Sequence, residues 1–228
     1  MSLSFDDWTA ERPQGRFTDW LRESAKENWT AAIDHRFCDE IAAGSLSDEA
    51  FRTYLIQDYA FIETLVTVIG FAVARAPDMA AKKRWTGFLG VLTSDENDYF
   101  MRAFEAVGVS ESDYTSATMS ATTLKLRDVM LDAANAGSYA EVLAVIVPAE
   151  WTYLTWASAR NGSTPSQPRY AEWIELHAIP EFAEFVDWTR RELDTLGPAL
   201  DAMTRASVER RFNDVMALEV AFFDQAYA

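Results

Sequence analysis

Residues 142–156 read VLAVIVPAEWTYLTW, an apolar run of helical character that contains one proline and one carboxylate. A glutamate in such surroundings costs several kcal/mol if it is charged and unpaired. We therefore expect Glu150 to be paired, to be protonated or to face a polar cavity. Glu150 and Tyr153 are three residues apart on the predicted helix and can point into one space. The stretch predicts one wall of a functional site.

Helical patterns continue on both sides of this stretch. Apolar residues recur at three- and four-residue steps, and no sustained alternation indicates a β-strand. The sequence therefore predicts an all-α, single-domain helical bundle of about seven to eight helices over residues 1–228. Residues 1–15 are predicted to form an irregular N-terminal lead.

The predicted helices are separated by glycine, serine and proline. One helix is expected from about Phe17 until Gly44 ends it, and Ser47 is the expected N-cap of the next. A third helix is predicted over residues 79–107, and residues 110–116 are predicted to form a loop. The helix that contains Pro148 is predicted over residues 139–159.

The composition excludes several classes of partner. The chain carries 36 acidic and 20 basic residues, for a formal net charge of −16. This charge repels phosphate backbones and anionic lipid surfaces, so we predict no nucleic-acid and no membrane partner. The longest apolar stretch, Leu65 to Ala74, is shorter than the ~18 residues that a membrane span needs. Cys38 is the only cysteine and no signal-peptide pattern is present, so a cytoplasmic location is predicted.

Two further carboxylates lie on apolar helical faces. Asp58 shares one side of a helix with Tyr54 and Phe61, and it either faces a cavity or pairs with an arginine or a helix end. Glu219 shares a face with Phe222 and is either buried or at the edge of that face. Burial would raise its pKa and suit it for proton transfer near neutrality. Carboxylates and aromatic rings from three helices would suit a flat, nitrogen-rich heteroaromatic ligand.

The motifs of common metal and nucleotide sites are absent. There is no Walker loop, Rossmann fingerprint, HExxH or CxxC. The two histidines, His35 and His177, lie on different segments, and neither has a glutamate three residues before it, as a di-iron bundle requires. We predict no metal and no cofactor, and a lone histidine such as His177 is more typical of a helix cap or a substrate contact.

Several motifs, in their order along the chain, resemble the TenA family of thiamin-salvage enzymes. The most specific is Tyr54-Leu55-Ile56-Gln57-Asp58-Tyr59. The others are His35-Arg36-Phe37 with Glu40-Ile41, Gly44-Ser45-Leu46, Pro148-Ala149-Glu150-Trp151-x-Tyr153, Tyr170-x-x-Trp173-Ile174-x-x-His177, and Glu219-x-x-Phe222-Phe223. The resemblance extends over nearly the whole chain.

The resemblance implies a haem-oxygenase-like helical fold that assembles as a homodimer or homotetramer. It also implies cofactor-free hydrolysis of thiamin-derived aminopyrimidines, namely 4-amino-5-aminomethyl-2-methylpyrimidine or its N-formyl derivative. By this resemblance Asp58 holds the pyrimidine, Glu219 transfers protons, and Tyr153 lines the pocket. Tyr54, Phe61 and His177 are the remaining expected substrate contacts.

The chain departs from the family pattern at four positions. The better-known branch has a nucleophilic cysteine directly after the proline, where this chain has Ala149. Tyrosines expected elsewhere are replaced by Phe61, Leu126 and His177. The chain is therefore similar to the cysteine-lacking branch, in which a carboxylate replaces the thiol, and Glu150 is the expected replacement.

Two other functions are compatible with the sequence. One is a pyrimidine-binding or regulatory protein that performs no turnover. The other is an oxidase built on the same haem-oxygenase-like fold, since a fold alone does not determine a reaction.

Overall fold

The computed structural model describes residues 3–228, and the regular elements in this range are all helical. The α-helices, in chain order, are α1 (Phe5–Glu11), α2 (Phe17–Ser24), α3 (Lys26–Ile33), α4 (Arg36–Ala43), α5 (Asp48–Arg75), α6 (Met79–Thr93), α7 (Asp95–Val107), α8 (Glu111–Thr115), α9 (Ala121–Ala136), α10 (Tyr139–Arg160), α11 (Pro168–Leu176), α12 (Pro180–Leu196) and α13 (Ala202–Asp224). Short 3₁₀ helices cover Gly197–Ala199 and Gln225–Tyr227. The prediction of an all-α fold is confirmed.

The described helices outnumber the predicted ones because long predicted segments are divided. The segment that begins at Phe17 forms three helices, and Gly44 ends the last of them with a φ of 69°. The segment over residues 79–107 is interrupted at Ser94, which leaves helical geometry and separates α6 from α7. Three acids in the first turn of α7 favour a new N-terminus there, because they interact with the positive end of the helix dipole.

Two segments predicted to be irregular are helical. Residues 1–15 were expected to form an irregular lead, but Phe5–Glu11 forms α1, and the Ser4 hydroxyl accepts from the Asp7 backbone N–H. The rings of Phe5 and Phe17 pack edge to face, 4.9 Å between centroids, which ties α1 to α2. Met1 and Ser2 lie outside the described residues. The predicted loop over residues 110–116 contains the short helix α8.

The 28-residue helix α5 packs against α6, α7, α9 and α10. As predicted, Ser47 caps it by accepting from the Ala50 backbone N–H. By length and composition alone α5 could cross a membrane, but the core helix of a globular protein passes the same test. Its buried face, which includes Tyr54, Asp58 and Phe61, lies against neighbouring helices.

Helix α10 is the most completely buried element, and it places Glu150 inside the protein. It spans Tyr139–Arg160, close to the predicted 139–159, and residues 142–152 are all buried. Ser138 and Glu141 form a capping box at its start. α10 packs against α3, α5, α9, α12 and α13, so its faces are enclosed by other helices.

The single domain and the homo-oligomer stay predictions.

Candidate functional site

A pocket lies where α5, α10 and α13 approach each other, closed by parts of α6, α7, α9 and α11. Its empty volume, open side included, is about 490 Å³. The lining residues are Asp58, Phe61, Ile62, Leu65, Leu92, Glu96, Leu126, Ala149, Glu150, Tyr153, Trp173, His177, Glu219 and Phe222. The three helices whose convergence the sequence could not establish therefore meet at one cavity.

Three buried carboxyl groups face this pocket. The exposed fractions of Asp58, Glu150 and Glu219 are 6%, 8% and 3%. Oδ2 of Asp58 is buried and has no hydrogen-bond partner among the described residues. Within residues 3–228, Glu150 and Glu219 likewise form no hydrogen bond or ion pair with protein groups. The expected arginine or helix-end partner of Asp58 is not observed, so the cavity interpretation of this residue is the one the structure supports.

Burial raises the pKa values of all three acids, and no cationic partner offsets the rise. Burial raises the pKa of Asp58 to about 7, and the Tyr54 hydroxyl partly offsets the rise. Burial, followed by repulsion from Glu219 and Asp58, raises the pKa of Glu150 to about 8. Burial and repulsion from Asp58 raise the pKa of Glu219 to about 8. These carboxyl groups can therefore gain and lose protons near neutral pH, which general acid–base catalysis requires.

Two tyrosines predicted at the site have different positions. Tyr153 lies on the pocket wall, as the sequence predicts, whereas Tyr54 is not among the lining residues. The Tyr54 and Tyr153 hydroxyl oxygens are 2.8 Å apart and share a hydrogen bond. Tyr54 is completely buried between Phe37 and Phe223. Its expected role as a direct substrate contact is therefore corrected to the support of Tyr153.

His177 contributes a neutral imidazole to the wall. Its Nδ1–H donates to the Trp173 carbonyl oxygen, 2.9 Å away, since a carbonyl can only accept. Burial lowers the His177 pKa to about 4. Nε2 is therefore an unprotonated acceptor at neutral pH. The imidazole also contacts the Trp173 and Tyr153 rings, with centroids 4.4 and 5.0 Å away.

Glu96 is a site residue that the sequence analysis did not identify. It lies in the first turn of α7 and lines the same pocket as Asp58 and Glu150. Burial, with the charges of Glu150 and Asp58, raises its pKa well above the usual value. The sequence does contain a signal for this new helix, because Ser94 is followed by Asp95 and Glu96. The start of α5 shows the same pattern, with Ser47 followed by Asp48 and Glu49.

Cys38 lies outside the pocket and is completely buried. Burial raises the pKa of its thiol to about 12. Only the thiolate is nucleophilic, so this residue is unsuited to covalent catalysis. No group of three or more histidine, cysteine, aspartate or glutamate side chains within the described part of the chain could hold a metal ion.

We expect Cys38 to resist thiol reagents while the protein is folded. Roughly 10⁻⁴ of such a thiol is ionised at pH 8, and burial blocks access as well. Titration with Ellman's reagent should give no reaction over an hour in buffer and one thiol per chain in guanidinium chloride. A rapid reaction of the native protein would show that Cys38 is accessible and ionised.

The pocket occurs in a chain whose sequence matches a known family. The model of the TENA/THI-4/PQQC family matches residues 22–228, which is nearly the whole chain. The chain belongs to the TENA/THI-4/PQQC family. The match includes the segments that carry Asp58, Glu150 and Glu219.

Proteins that are similar to this chain in sequence or in structure are consistent with its membership of this family. An aminopyrimidine aminohydrolase of Halalkalibacterium halodurans is 28% identical over 92% of this chain and 95% of its own length. The aminopyrimidine aminohydrolase of Helicobacter pylori is 24% identical over 92% and 98%. A TenA homologue from P. horikoshii superposes with a TM-score of 0.83 at 20% identity, covering 93% of this chain and 99% of its own. The haem-oxygenase-like fold is thereby confirmed.

The four positions at which the resemblance leads us to expect other residues all lie on the pocket wall. Phe61, Leu126, Ala149 and His177 line it together with Asp58. Three of them carry no polar side-chain group, and His177 is neutral. The pocket of this family member is thus acidic and aromatic, without a thiol on its wall.

Proposed function

We propose that this protein is a cofactor-free hydrolase of thiamin-derived aminopyrimidines that uses carboxylates in place of a cysteine nucleophile. The substrates proposed are 4-amino-5-aminomethyl-2-methylpyrimidine and its N-formyl derivative. Two relatives similar over nearly their whole length are named aminopyrimidine aminohydrolases, which supports this reaction class. The acidic pocket supports it independently, since an aminopyrimidine offers several N–H groups to carboxylates.

The observation that carries the proposal is the unpartnered Oδ2 of Asp58, which is buried on the wall that also bears Glu150 and Glu219. A buried acceptor without a partner is costly, and an exocyclic amine of a bound pyrimidine would supply the missing donor. Phe61, Trp173 and Phe222 on the same wall provide rings against which a flat heterocycle can pack. Asp58, Phe61, Tyr153 and His177 are the proposed binding residues.

Hydrolysis of the aminomethyl substrate breaks its exocyclic C–N bond and forms a C–O bond to water. We assign to Glu150 the proton that water loses and to Glu219 the proton delivered to a ring nitrogen or to the leaving amine. The products are the hydroxymethylpyrimidine and ammonia, so atoms and charge balance. Acids with pKa values of about 8 can fill both roles, because each is present in both protonation states near neutrality.

One assay panel tests the proposal. Thiamin, the aminomethylpyrimidine and its N-formyl derivative are incubated with the wild type and with Glu150→Gln, and hydroxymethylpyrimidine, ammonia and formate are followed. We expect turnover of at least one compound and a loss of about 10²-fold or more in Glu150→Gln. If no product forms from any of them, the hydrolase proposal fails.

A binding protein without turnover is the second candidate. A structure with a TM-score of 0.83 and 23% identity, from Silicibacter sp. TM1040, is called a TenA family transcription regulator. Direct DNA binding conflicts with a formal net charge of −16. Tight binding of the aminomethylpyrimidine by calorimetry, with no product after a day, would favour this second function.

A further inference from the structure

Behind the pocket wall, two tyrosine hydroxyls join α5 to α10. The Tyr54 and Tyr153 oxygens are 2.8 Å apart and share a hydrogen bond. Tyr153 lines the pocket, whereas Tyr54 is not among the lining residues and is completely buried. Any effect of the Tyr54 hydroxyl on a bound substrate must therefore pass through the groups next to it.

The Tyr54 ring is held in place by other rings. Its centroid lies 4.5 Å from that of Phe37, 5.9 Å from that of Phe222 and 6.2 Å from that of Trp173. Phe222 and Trp173 line the pocket themselves, so Tyr54 fills the layer directly behind the wall. A phenol oxygen lies on the long axis of its ring, so a flip of the ring does not move it. The close packing therefore fixes the position of the Tyr54 oxygen.

Tyr54 also acts on Asp58, which lies one turn further along α5. Burial raises the pKa of Asp58 to about 7, and the Tyr54 hydroxyl acts in the opposite direction and lowers it. A neighbouring hydroxyl lowers the pKa of a carboxyl group when it turns its proton toward the charged form. The Tyr54 hydroxyl thus favours the carboxylate of Asp58.

The other groups that face Asp58 do not favour its charged form. Beside Tyr153, the titratable residues across the pocket are three acids and a neutral imidazole, namely Glu96 on α7, Glu150 on α10, Glu219 on α13 and His177 directly after α11. The lining residues from α6 and α9 are apolar, Leu92 and Leu126. Tyr99, which is also on α7, donates its proton to the Arg169 carbonyl oxygen. No described residue on the pocket wall carries a positive charge, so stabilisation of the Asp58 carboxylate depends on the Tyr54 hydroxyl.

The number of protons determines the direction of the hydrogen bonds. A phenol has one proton to donate and two lone pairs that accept. Because a carboxylate attracts an O–H group more strongly than a neutral oxygen does, the Tyr54 proton turns toward Asp58. The 2.8 Å hydrogen bond must then use the Tyr153 proton, with the Tyr54 oxygen as acceptor. Tyr153 is left with lone pairs, and without a proton, to present to the pocket.

We propose that Tyr54 is a positioning residue, whose hydroxyl turns the Tyr153 proton away from the pocket and holds Asp58 as a carboxylate. Tyr153 and Asp58 then both accept hydrogen bonds from the substrate, as Nε2 of His177 also can. This inference rests on the proposed function, because it concerns residues that are proposed to hold the substrate. Tyr54 itself touches no substrate and acts through the other two residues.

A matched pair of buried tyrosines is available for the test. Tyr54→Phe removes the hydroxyl and keeps the ring, so the packing behind the wall is retained. Its control is Tyr170→Phe, since Tyr170 is also completely buried and its hydroxyl donates to the Leu46 carbonyl oxygen, 3.0 Å away. Tyr170 is not among the residues that line the pocket. Both variants lose a buried hydroxyl, and only Tyr54→Phe changes the surroundings of Asp58 and Tyr153.

The first measurement is the dissociation constant of the hydroxymethylpyrimidine product, determined by calorimetry from pH 6 to pH 9. The ratio of the dissociation constants of variant and wild type cancels any titration of the ligand itself. Loss of the Tyr54 hydroxyl should raise the pKa of Asp58 by about one unit, so the ratio for Tyr54→Phe should be about tenfold larger at pH 6 than at pH 9. The ratio for Tyr170→Phe should not change with pH.

The double variant Tyr54→Phe/Tyr153→Phe tests the orientation of Tyr153. At pH 9 Asp58 is largely ionised in all variants, so the comparison isolates Tyr153. If Tyr54 orients Tyr153, loss of the Tyr54 hydroxyl already weakens the contact of Tyr153 with the ligand. The loss of affinity in the double variant should therefore be smaller than the product of the two single losses. A loss equal to that product would overturn the proposal.

The free energy of unfolding tests the effect on Asp58 without a ligand. A higher pKa in the folded state means that the folded protein keeps its proton to a higher pH, so the free energy of unfolding falls further as the pH rises. In urea, the unfolding equilibrium constant of Tyr54→Phe relative to the wild type should rise about tenfold between pH 6 and pH 9. The same ratio for Tyr170→Phe should stay constant.

A loss in Tyr54→Phe that is the same at every pH and no larger than that in Tyr170→Phe would assign Tyr54 a purely structural role and overturn the proposal. If the wild type neither binds the hydroxymethylpyrimidine nor turns over any aminopyrimidine, the proposed function fails. The unfolding measurement then still decides whether Tyr54 stabilises the Asp58 carboxylate.

Discussion

Replacement of Glu219 by glutamine should reduce kcat for the aminopyrimidine by ~10²–10⁴-fold while the protein stays folded. The size of this decrease in kcat follows from the loss of a group that is positioned to donate and accept a proton in the transition state. Glutamine has the same shape and can still hydrogen-bond, so the packing of α13 around Phe222 and Phe223 should be retained. We expect KM to change by less than about tenfold, because removal of a proton-transfer step lowers kcat without removing the ring contacts.

The control for this experiment is Asp214→Asn, which changes an exposed acid on the same helix. It should keep kcat within about twofold of the wild type, since exposed substitutions away from a site have small effects. Initial rates of ammonia release over pH 6–9, with circular dichroism to verify folding, provide the measurement. Activity of Glu219→Gln within tenfold of the wild type would remove Glu219 from the proton-transfer role.

The helical class and three of the acids that line the pocket could be predicted because both leave local signals. An acid within an apolar helical face is visible as a break in the pattern, and Asp58, Glu150 and Glu219 all show it. Their approach to a single pocket depends on how α5, α10 and α13 pack. Periodicity carries no information on packing between helices, so only the resemblance to TenA proteins linked them in advance.

The residues that sequence reasoning missed or misplaced depend on tertiary geometry. Glu96 belongs to the pocket because the chain leaves helical geometry at Ser94 and starts α7 there. The single helix predicted over residues 79–107 does not include this change of direction. Tyr54 shares a helical face with Asp58, yet its hydroxyl bonds to Tyr153 and its ring packs in the core. A shared face predicts a common direction and does not distinguish a pocket wall from the layer behind it.

The buried carboxyl groups should also make the protein less stable as the pH rises. Glu150 and Glu219 have pKa values of about 8 in the folded protein, against about 4.5 for an ordinary glutamate. Between these values the folded state holds protons that the unfolded state has released, so the free energy of unfolding falls with increasing pH. The contribution of these two groups to the free energy of unfolding is fully present below about pH 4.5 and is lost as the pH rises through about 8.

Replacement of Glu150 by glutamine should remove most of the part that Glu150 contributes to the pH dependence of the free energy of unfolding. The variant should gain on the order of a few kcal/mol over the wild type at pH 8.5, and the difference should vanish near pH 4.5. Urea unfolding between pH 4.5 and 8.5 measures this difference in the free energy of unfolding. Glu105→Gln, which changes an exposed acid on α7, is the control for the general effect of removing one negative charge. Parallel curves for the wild type and Glu150→Gln would mean that Glu150 is ionised throughout. Glu150 would then have to be stabilised by a group outside residues 3–228, and the carboxylates could not exchange protons near neutral pH as the proposed reaction requires.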